Sequence, residues 1–236
     1  MGTLFEMFDG IHLRMGGKMS INSSANILRI AIFYDGGYFD EVSKYYKYGH
    51  SRQSRINLQG LHEFLRDRTA RIEGGDISFT QIIESHYFRG RFAAQTAIDH
   101  GKVEDERRFD DVLMHAGITT HYFPVDEQGG RPRERGIDVW LSLESFDMAV
   151  HKEVDVIVLI ACDTDYVPLV RKLNALGTRV MLLAWDFRYE FDLGGKHYIK
   201  ETKTSSQLID ATPYVLDMHK IIEEGLEEEI APLFVD

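Results

Sequence analysis

The feature of this sequence that most constrains its fold is the apolar run VDVIVLIA at residues 154–161. A short run so rich in β-branched and aliphatic residues is typical of a strand buried on both faces of a parallel sheet. Further runs of strand-forming residues occur along the chain at 28–34, 78–88, 118–123 and 179–184. The sequence therefore predicts a series of buried strands.

Segments with helical character separate these strands. Apolar side chains recur at helical spacing in residues 57–71, 137–150 and 166–176, and the polar segment 93–116 also has the composition of a helix. Strands that alternate with helices at such intervals are joined by right-handed crossovers, which place helices on both faces of a parallel sheet. The predicted fold class is α/β, with three layers and a mainly parallel central sheet.

The strand and helix signals divide the chain into one domain and two extensions. Residues 28–186 are predicted to form a single domain, because 236 residues with 44% hydrophobic content suffice for one substantial core. Residues 1–27 precede the first strong strand signal, and we expect an extension that is either disordered or foreign to the natural protein. Residues 187–236 are expected to pack on the domain or on a partner, which includes a second copy of the chain.

The cysteine content and the lack of long apolar runs indicate the cellular compartment in which the protein is expected to act. Cys162 is the only cysteine, so the chain forms no intramolecular disulfide. Residues 1–14 lack the basic start and long apolar stretch of a secretory signal, and no apolar run approaches the length of a membrane span. We therefore expect a cytoplasmic protein without a membrane partner.

Four aspartates are predicted to meet at one edge of the sheet. Asp35 follows the strand at 28–34, and Asp163 and Asp165 follow the strand at 154–161. Ligands of open parallel sheets bind outside the carboxyl ends of the strands, where these three carboxylates lie. Asp138 begins the helix that leads into the strand at 154–161, and such a helix begins at that same edge.

A cluster of four carboxylates constrains the chemistry of the site. Without cations the carboxylates would repel one another and raise their own pKa values, so such a cluster usually holds a metal or a basic partner. Oxygen ligands suit Mg²⁺ or Mn²⁺, whereas the sequence has no paired-cysteine or His-Glu-x-x-His pattern for zinc. Two such metals can activate a water and stabilise the leaving oxygen when a phosphodiester is hydrolysed.

Three segments together resemble a known family: FYDGGYF at 33–39, RGIDVWLSLE at 135–144 and ACDTDYVPLVRKLNALGTRV at 161–180. In this order they resemble the NYN domain, and within it the LabA-like branch of the PIN-like nuclease superfamily. The resemblance spans about residues 30–184 and implies a PIN-like fold, a metal-dependent ribonuclease activity and an RNA substrate. It also implies that the matching aspartates are the catalytic metal ligands, namely Asp35, Asp138, Asp163 and Asp165.

The chain departs from the family pattern at three places. Many relatives have Asn shortly after the first Asp, where this chain has Gly37 and Tyr38. Many have Ser-Gly where this chain has Ala161 and Cys162. A Lys is common at Arg135, and arginine keeps the charge but not the adjustable pKa of an amine, so we assign Arg135 to phosphate contact.

The charge distribution bears on an RNA partner. The net charge of −11 argues against binding a phosphate backbone, but acidic residues concentrate in the C-terminal tail and arginines in the central region. The arginines predicted to line an RNA path are Arg89, Arg91, Arg131, Arg133 and Arg135. Tyr34, Tyr38 and Phe92 are candidate stacking surfaces, although large rings beside strands usually belong to the core.

Each aspartate also has a simpler explanation. Asp35 before two glycines can form an ordinary turn, and Asp138 can be a helix-start residue favoured by the helix dipole. Asp163 is expected to cap the helix that begins near Tyr166, which leaves Asp165 without an explanation other than metal binding.

The function predicted from the sequence is hydrolysis of RNA phosphodiester bonds by a PIN-like domain using Mg²⁺ or Mn²⁺. One alternative is a haloacid-dehalogenase-like phosphatase that uses Asp163 and Asp165, although that pattern expects Thr where this chain has Val167. The other alternative is a non-catalytic PIN-like scaffold that binds RNA or a regulatory partner.

Overall fold

The computed structural model describes residues 7–8, 11–13, 27–127 and 134–235. Most of the predicted N-terminal extension lies outside the described residues, and so do Arg131 and Arg133. Within the described part of the chain, no helix combines the length and apolarity that crossing a membrane requires.

The strands and helices are as follows. The strands are β1 (Met7–Phe8), β2 (Ile11–Leu13), β3 (Leu28–Asp35), β4 (Thr80–Arg91), β5 (Thr119–Pro124), β6 (Val156–Ile160), β7 (Arg179–Ala184), β8 (Phe187–Leu193), β9 (Lys196–Thr202) and β10 (Tyr214–Asp217). The helices are α1 (Gly36–Lys44), α2 (Leu58–Glu73), α3 (Ala94–Asp99), α4 (Val103–His115), α5 (Ile137–His151), α6 (Val167–Leu176), α7 (Ser206–Ala211), α8 (Met218–Glu224) and α9 (Glu227–Ile230). A π-helical turn (Tyr45–Gly49) follows α1, and short 3₁₀ turns cover Ile77–Phe79, Thr164–Tyr166 and Ala231–Leu233.

The central sheet has the strand order β1-β2-β10-β7-β6-β3-β4-β5. The six neighbouring strands from β10 to β5 are all parallel, whereas β2 is antiparallel to β10 and β1 is antiparallel to β2. At the centre, Ile32 of β3 lies opposite Val158 of β6 on one side and Ser85 of β4 on the other. Strands β8 and β9 form a separate antiparallel hairpin.

Helices cover both faces of this sheet. On one face, Ile32 and Val158 are fully buried in a cluster with Leu61 of α2. On the other face, Phe33 is fully buried in a second cluster with Leu141 of α5. Neighbouring strand residues thus serve opposite cores, as the two-residue period of a strand requires. The predicted α/β fold with three layers and a mainly parallel sheet is confirmed.

Two helical segments differ from the sequence prediction. Residues 93–116 form α3 and α4 rather than one helix, and Gly101 between them has the left-handed φ of 63°. Glycine adopts this conformation without the penalty that a Cβ atom brings, so the chain can turn there. Residues 36–44 form α1, where the sequence indicated only a turn, because Tyr38, Phe39 and Val42 are buried along one side of the helix.

Both extensions contribute to the central sheet. Strand β10, from the predicted C-terminal extension, pairs with β7 so that Leu216 lies opposite Leu183. Strand β2, from the predicted N-terminal extension, pairs with the other side of β10. The hairpin packs on the π-helical turn, where the ring of Phe187 stacks on Tyr45 with centroids 4.3 Å apart.

We predict that Leu216→Ala destabilises the protein, because the side chain of Leu216 is 0% exposed. Leu-to-Ala changes in a packed core typically cost about 2–5 kcal/mol in free energy of unfolding. Urea denaturation followed by circular dichroism measures the change. Leu226→Ala is the matched control, since Leu226 is 72% exposed and should lose little. Equal stability of the two variants would show that β10 contributes nothing to the core.

A half-buried histidine joins α2 to the sheet. His62 Nε2 lies 2.9 Å from the Tyr34 hydroxyl of β3 and 3.4 Å from Ser85 Oγ of β4. Burial raises the pKa of Tyr34, so its hydroxyl stays protonated and donates to the imidazole. Burial also lowers the pKa of His62 to about 4. The imidazole is therefore neutral at physiological pH.

We predict that His62 makes stability depend on pH. Its pKa is about 6.5 in the unfolded chain and about 4 in the folded protein, so the unfolded chain binds the proton more tightly. The part of the free energy of unfolding that depends on neutral His62 is fully present above pH 6.5. It is lost as the pH falls towards 4, and the loss is about 3 kcal/mol in total. Urea denaturation across this interval should show that His62→Gln removes this component. A difference between the two proteins that stays constant with pH would contradict the prediction.

Candidate active site

A cleft of about 740 Å³ opens at the edge of the sheet where β3 and β6 end. The four predicted aspartates all line it, although they come from three separate segments of the chain. Its acidic lining residues are Asp35, Glu41, Glu134, Asp138, Asp163, Asp165 and Glu201. Its basic lining residues are Arg135 and Lys203.

Asp35 is the most firmly held of these carboxylates. It is the last residue of β3 and the N-cap of α1, where its Oδ1 accepts a hydrogen bond of 3.2 Å from the Tyr38 backbone N–H. Its Oδ2 accepts a hydrogen bond of 2.8 Å from the Tyr166 hydroxyl. Burial raises the pKa of Asp35, and the nearby charge of Asp163 raises it further, while these hydrogen bonds oppose the rise.

Asp163 and Asp165 lie in the loop between β6 and α6. Both side chains are exposed. We predicted that Asp163 caps the following helix, and that prediction is wrong, because its side chain makes no capping hydrogen bond. Helix α6 begins at Val167 with Pro168 in its first turn, so one of the N–H groups that a cap would satisfy is missing. The carboxylate of Asp163 is therefore available to the cleft.

Asp138 reaches the same cleft from the start of α5. The helix begins after Gly136, whose φ of 76° turns the chain sharply into the first helical residue. Asp138 is the second residue of the helix and is half-buried. A carboxylate in the first turn is favoured by the helix dipole, so this position holds a negative charge at low cost.

Gly37 has no side chain, and two carboxylate oxygens lie next to the space that a side chain would occupy. A Cβ atom placed on Gly37 would lie 3.3 Å from Glu134 Oε2 and 3.4 Å from Asp35 Oδ1. The sequence analysis did not single out Glu134, although it directly precedes the Arg-Gly-x-Asp segment. Burial raises the pKa of Glu134, and the charge of Arg89 opposes the rise. The missing side chain at Gly37 thus creates an oxygen-lined opening beside Asp35.

The donors of this cleft fit a hard divalent cation. Seven Asp and Glu side chains line it, and carboxylate oxygens suit Mg²⁺ or Mn²⁺ better than softer metals. Within the described residues, no group of three or more acidic, histidine or cysteine side chains already has metal-holding geometry. Burial, the main cause, and the charge of Asp163 raise the pKa of Asp35, so its ionised form would gain from a compensating charge. A bound cation would supply that compensation.

The predicted RNA-binding arginines have carboxylate partners where the structure describes them. Arg89 bonds Asp40 at 3.0 Å and Arg91 bonds Asp110 at 2.6 Å. Arg135 bonds the carboxylate of Asp126 at 3.2 Å and is the one arginine among them that lines the cleft. Their contact with RNA stays a prediction.

Two of the three candidate stacking aromatics are buried. Tyr34 is 0% exposed and Tyr38 is 6% exposed, so the expectation that they offer stacking surfaces is wrong. The hydroxyl of Tyr38 accepts a hydrogen bond from the Trp185 backbone N–H at 2.7 Å and donates to its carbonyl at 3.3 Å. These rings hold the core behind the cleft. Phe92 is half-buried and packs edge-on against His100.

The family model of the NYN domain matches residues 29–221. The chain belongs to the NYN domain family. This match covers all four predicted aspartates and also strand β10, which lies beyond the segments that carried the resemblance. No curated protein matches the chain.

The NYN domain belongs to the PIN-like nuclease superfamily, whose members generally use divalent metal ions. A crystal structure of a protein of unknown function from Vibrio parahaemolyticus RIMD 2210633 has the same fold, with a TM-score of 0.55 and 15% sequence identity. The similarity covers 84% of this chain and 96% of that chain. Membership of the LabA-like branch stays a prediction.

We predict that Gly36→Ala disturbs the cleft of this NYN domain. A Cβ atom at Gly36 would lie 2.5 Å from the carbonyl oxygen of Phe88 and 2.7 Å from the ring of Tyr87. Relief requires a shift of the backbone next to Asp35, and overpacking of this kind costs about 1–3 kcal/mol. Thermal or urea denaturation measures it. Gly75→Ala is the control, since its nearest neighbour would be 3.8 Å away, and equal stability of the two variants would contradict the prediction.

Proposed function

We propose that this NYN domain hydrolyses phosphodiester bonds of RNA with Mg²⁺ or Mn²⁺ held by Asp35, Asp138, Asp163 and Asp165. One observation carries the proposal: four carboxylates from three distant segments of the family motif line a single cleft at the carboxyl edge of the sheet. In open parallel sheets this edge is where ligands bind.

The carboxylates have different parts in this proposal. Both oxygens of Asp35 are held by hydrogen bonds, so Asp35 provides a fixed ligand. Asp163 and Asp165 are exposed and can approach a cation from the loop after β6. Metal ions bound there would lower the pKa of a water and stabilise the charge that develops on the leaving oxygen.

The chain's own nucleophilic groups do not provide a better explanation. Burial and, next in size, the neighbouring charge of Asp163 raise the pKa of the Cys162 thiol to about 12, so the thiol stays protonated. The family match also favours a nuclease over the phosphatase alternative, which assigns no part to Asp35 or Asp138.

The remaining parts of the proposal concern the partner and the setting. We propose that five arginines contribute to RNA binding, and that the enzyme acts in the cytoplasm. The proposed RNA-binding residues are Arg89, Arg91, Arg131, Arg133 and Arg135. A protein partner or a second copy of the chain at residues 187–236 is also proposed.

The decisive test is cleavage of a mixed single-stranded RNA by the purified protein with Mn²⁺, with Mg²⁺ or with a chelator. We predict cleavage that requires the metal and that falls by about 10²-fold or more in Asp163→Asn, because a charge-stabilising ligand is lost. Asp147→Asn is the matched control, since its side chain is 71% exposed on the helix that carries Asp138. It should cleave like the wild type.

The other outcomes identify the alternatives. If a folded wild-type protein does not cleave RNA but hydrolyses small phosphate esters in a manner that depends on Asp163 and Asp165 and not on Asp35 or Asp138, the phosphatase is supported. RNA binding without any cleavage supports a non-catalytic scaffold. Metal-dependent cleavage that survives in both Asp35→Asn and Asp163→Asn would place the reaction outside this cleft.

A further inference from the structure

The balance of charge in the cleft singles out one residue. Seven carboxylates line the cleft beside two cationic side chains, Arg135 and Lys203. The guanidinium of Arg135 bonds Asp126, and its side chain is 66% exposed. Glu41 is bonded by both Lys44 and Lys200. In the described residues, Lys203 forms no ion pair with any of these carboxylates.

The backbone around Lys203 is nevertheless tightly held. Thr202, directly before it, pairs with Phe187 at the base of the β8–β9 hairpin. The backbone N–H of Thr204, directly after it, donates to Asp186 Oδ1 at 2.7 Å. The next N–H, of Ser205, donates to the carbonyl of Cys162 at 2.9 Å.

These contacts place Lys203 beside the loop that carries Asp163 and Asp165. The side chains of Thr164 and Ser205 are also hydrogen-bonded to each other at 2.8 Å. The position of Lys203 is thus set by the fold, while its exposed side chain keeps the freedom to move. Among the residues that the structure describes, this ammonium has no carboxylate partner, so it stays available to an anionic ligand that enters the cleft.

A polyanionic substrate accounts for an unpaired cation at this place. A nucleic acid strand brings one negative charge per nucleotide into a cleft whose lining is already acidic. The compact ammonium on the flexible side chain of lysine can follow a phosphate without the fixed geometry that arginine imposes.

We propose that Lys203 binds a backbone phosphate of the RNA strand in the cleft. This inference rests on the proposed function, since it assumes that RNA enters the cleft. It assigns the β8–β9 hairpin to substrate binding, as the element that carries a phosphate contact to the carboxylate edge. Because a phosphate carries no base identity, the contact strengthens binding of all sequences alike.

The test measures binding of a fluorescently labelled single-stranded RNA by anisotropy at increasing salt, with Ca²⁺ replacing Mg²⁺ so that the RNA stays intact. For single strands, each phosphate contact contributes about 0.7 to the slope of log K against log salt. We expect Lys203→Ala to reduce this slope by about 0.7 and to weaken binding of two unrelated sequences equally. Lys203→Arg should retain most of the slope.

Lys196→Ala is the matched control. Lys196 is the first residue of β9, the strand that ends directly before Lys203; it is exposed and does not line the cleft. The proposal is overturned if Lys203→Ala and Lys196→Ala have equal slopes, and also if the wild-type protein binds no RNA.

Cleavage with Mn²⁺ separates this inference from the proposed function. If the wild type cleaves RNA while Lys203→Ala matches the control in slope and in KM, the function stands and the phosphate contact is refuted. If RNA binds with a slope that depends on Lys203 but is never cleaved, the contact stands and the nuclease assignment fails.

Discussion

The parallel pairing of β3 between β4 and β6 is the constraint on which the rest of the structure depends. Parallel neighbours cannot be joined by tight turns, so the chain must cross over through helices that then cover both faces. The same pairing brings the carboxyl ends of the strands to one edge. Asp35 and the Asp163 loop therefore approach each other although Asp163 is 128 positions after Asp35 in the sequence.

At that edge of the sheet, some carboxylates are stabilised by hydrogen bonds or ion pairs and others are not. The hydroxyl of Tyr166 reaches across from the turn after β6 to hold Asp35, so one hydrogen bond ties two of the motif segments together. The acidic edge is stable because neighbouring carboxylates such as Glu41 and Asp40 are matched by lysine and arginine. Among the described carboxylates that line the cleft, those without an ion pair are the four of the family motif together with Glu134 and Glu201. Local neutralisation elsewhere thus concentrates the uncompensated charge in the cleft, where cations and substrate would meet it.

The sequence was sufficient to predict five of the six parallel strands and the gathering of four aspartates, because apolar runs and strand order are local or topological properties. It did not predict α1, since two glycines after Asp35 indicate a turn, and only packing of Phe39 and Val42 shows a helix. The absent cap at Asp163 depends on backbone geometry that no pattern encodes. Glu134 and Lys203 reach the cleft through tertiary contacts, so their place could not be read from spacing.

The central sheet can be completed beside β7 only late in synthesis, because strand β10 lies near the C-terminal end of the sequence. The outer edge of β7 is apolar and buried, and its parallel partner arrives only with residues 214–217. Until those residues leave the ribosome, a nascent chain presents an open strand edge, which is a template for pairing with other chains. The motif aspartates are all synthesised before that edge is closed. Chaperone dependence and aggregation of C-terminally shortened chains are therefore inherent in this strand order, independently of what the cleft does.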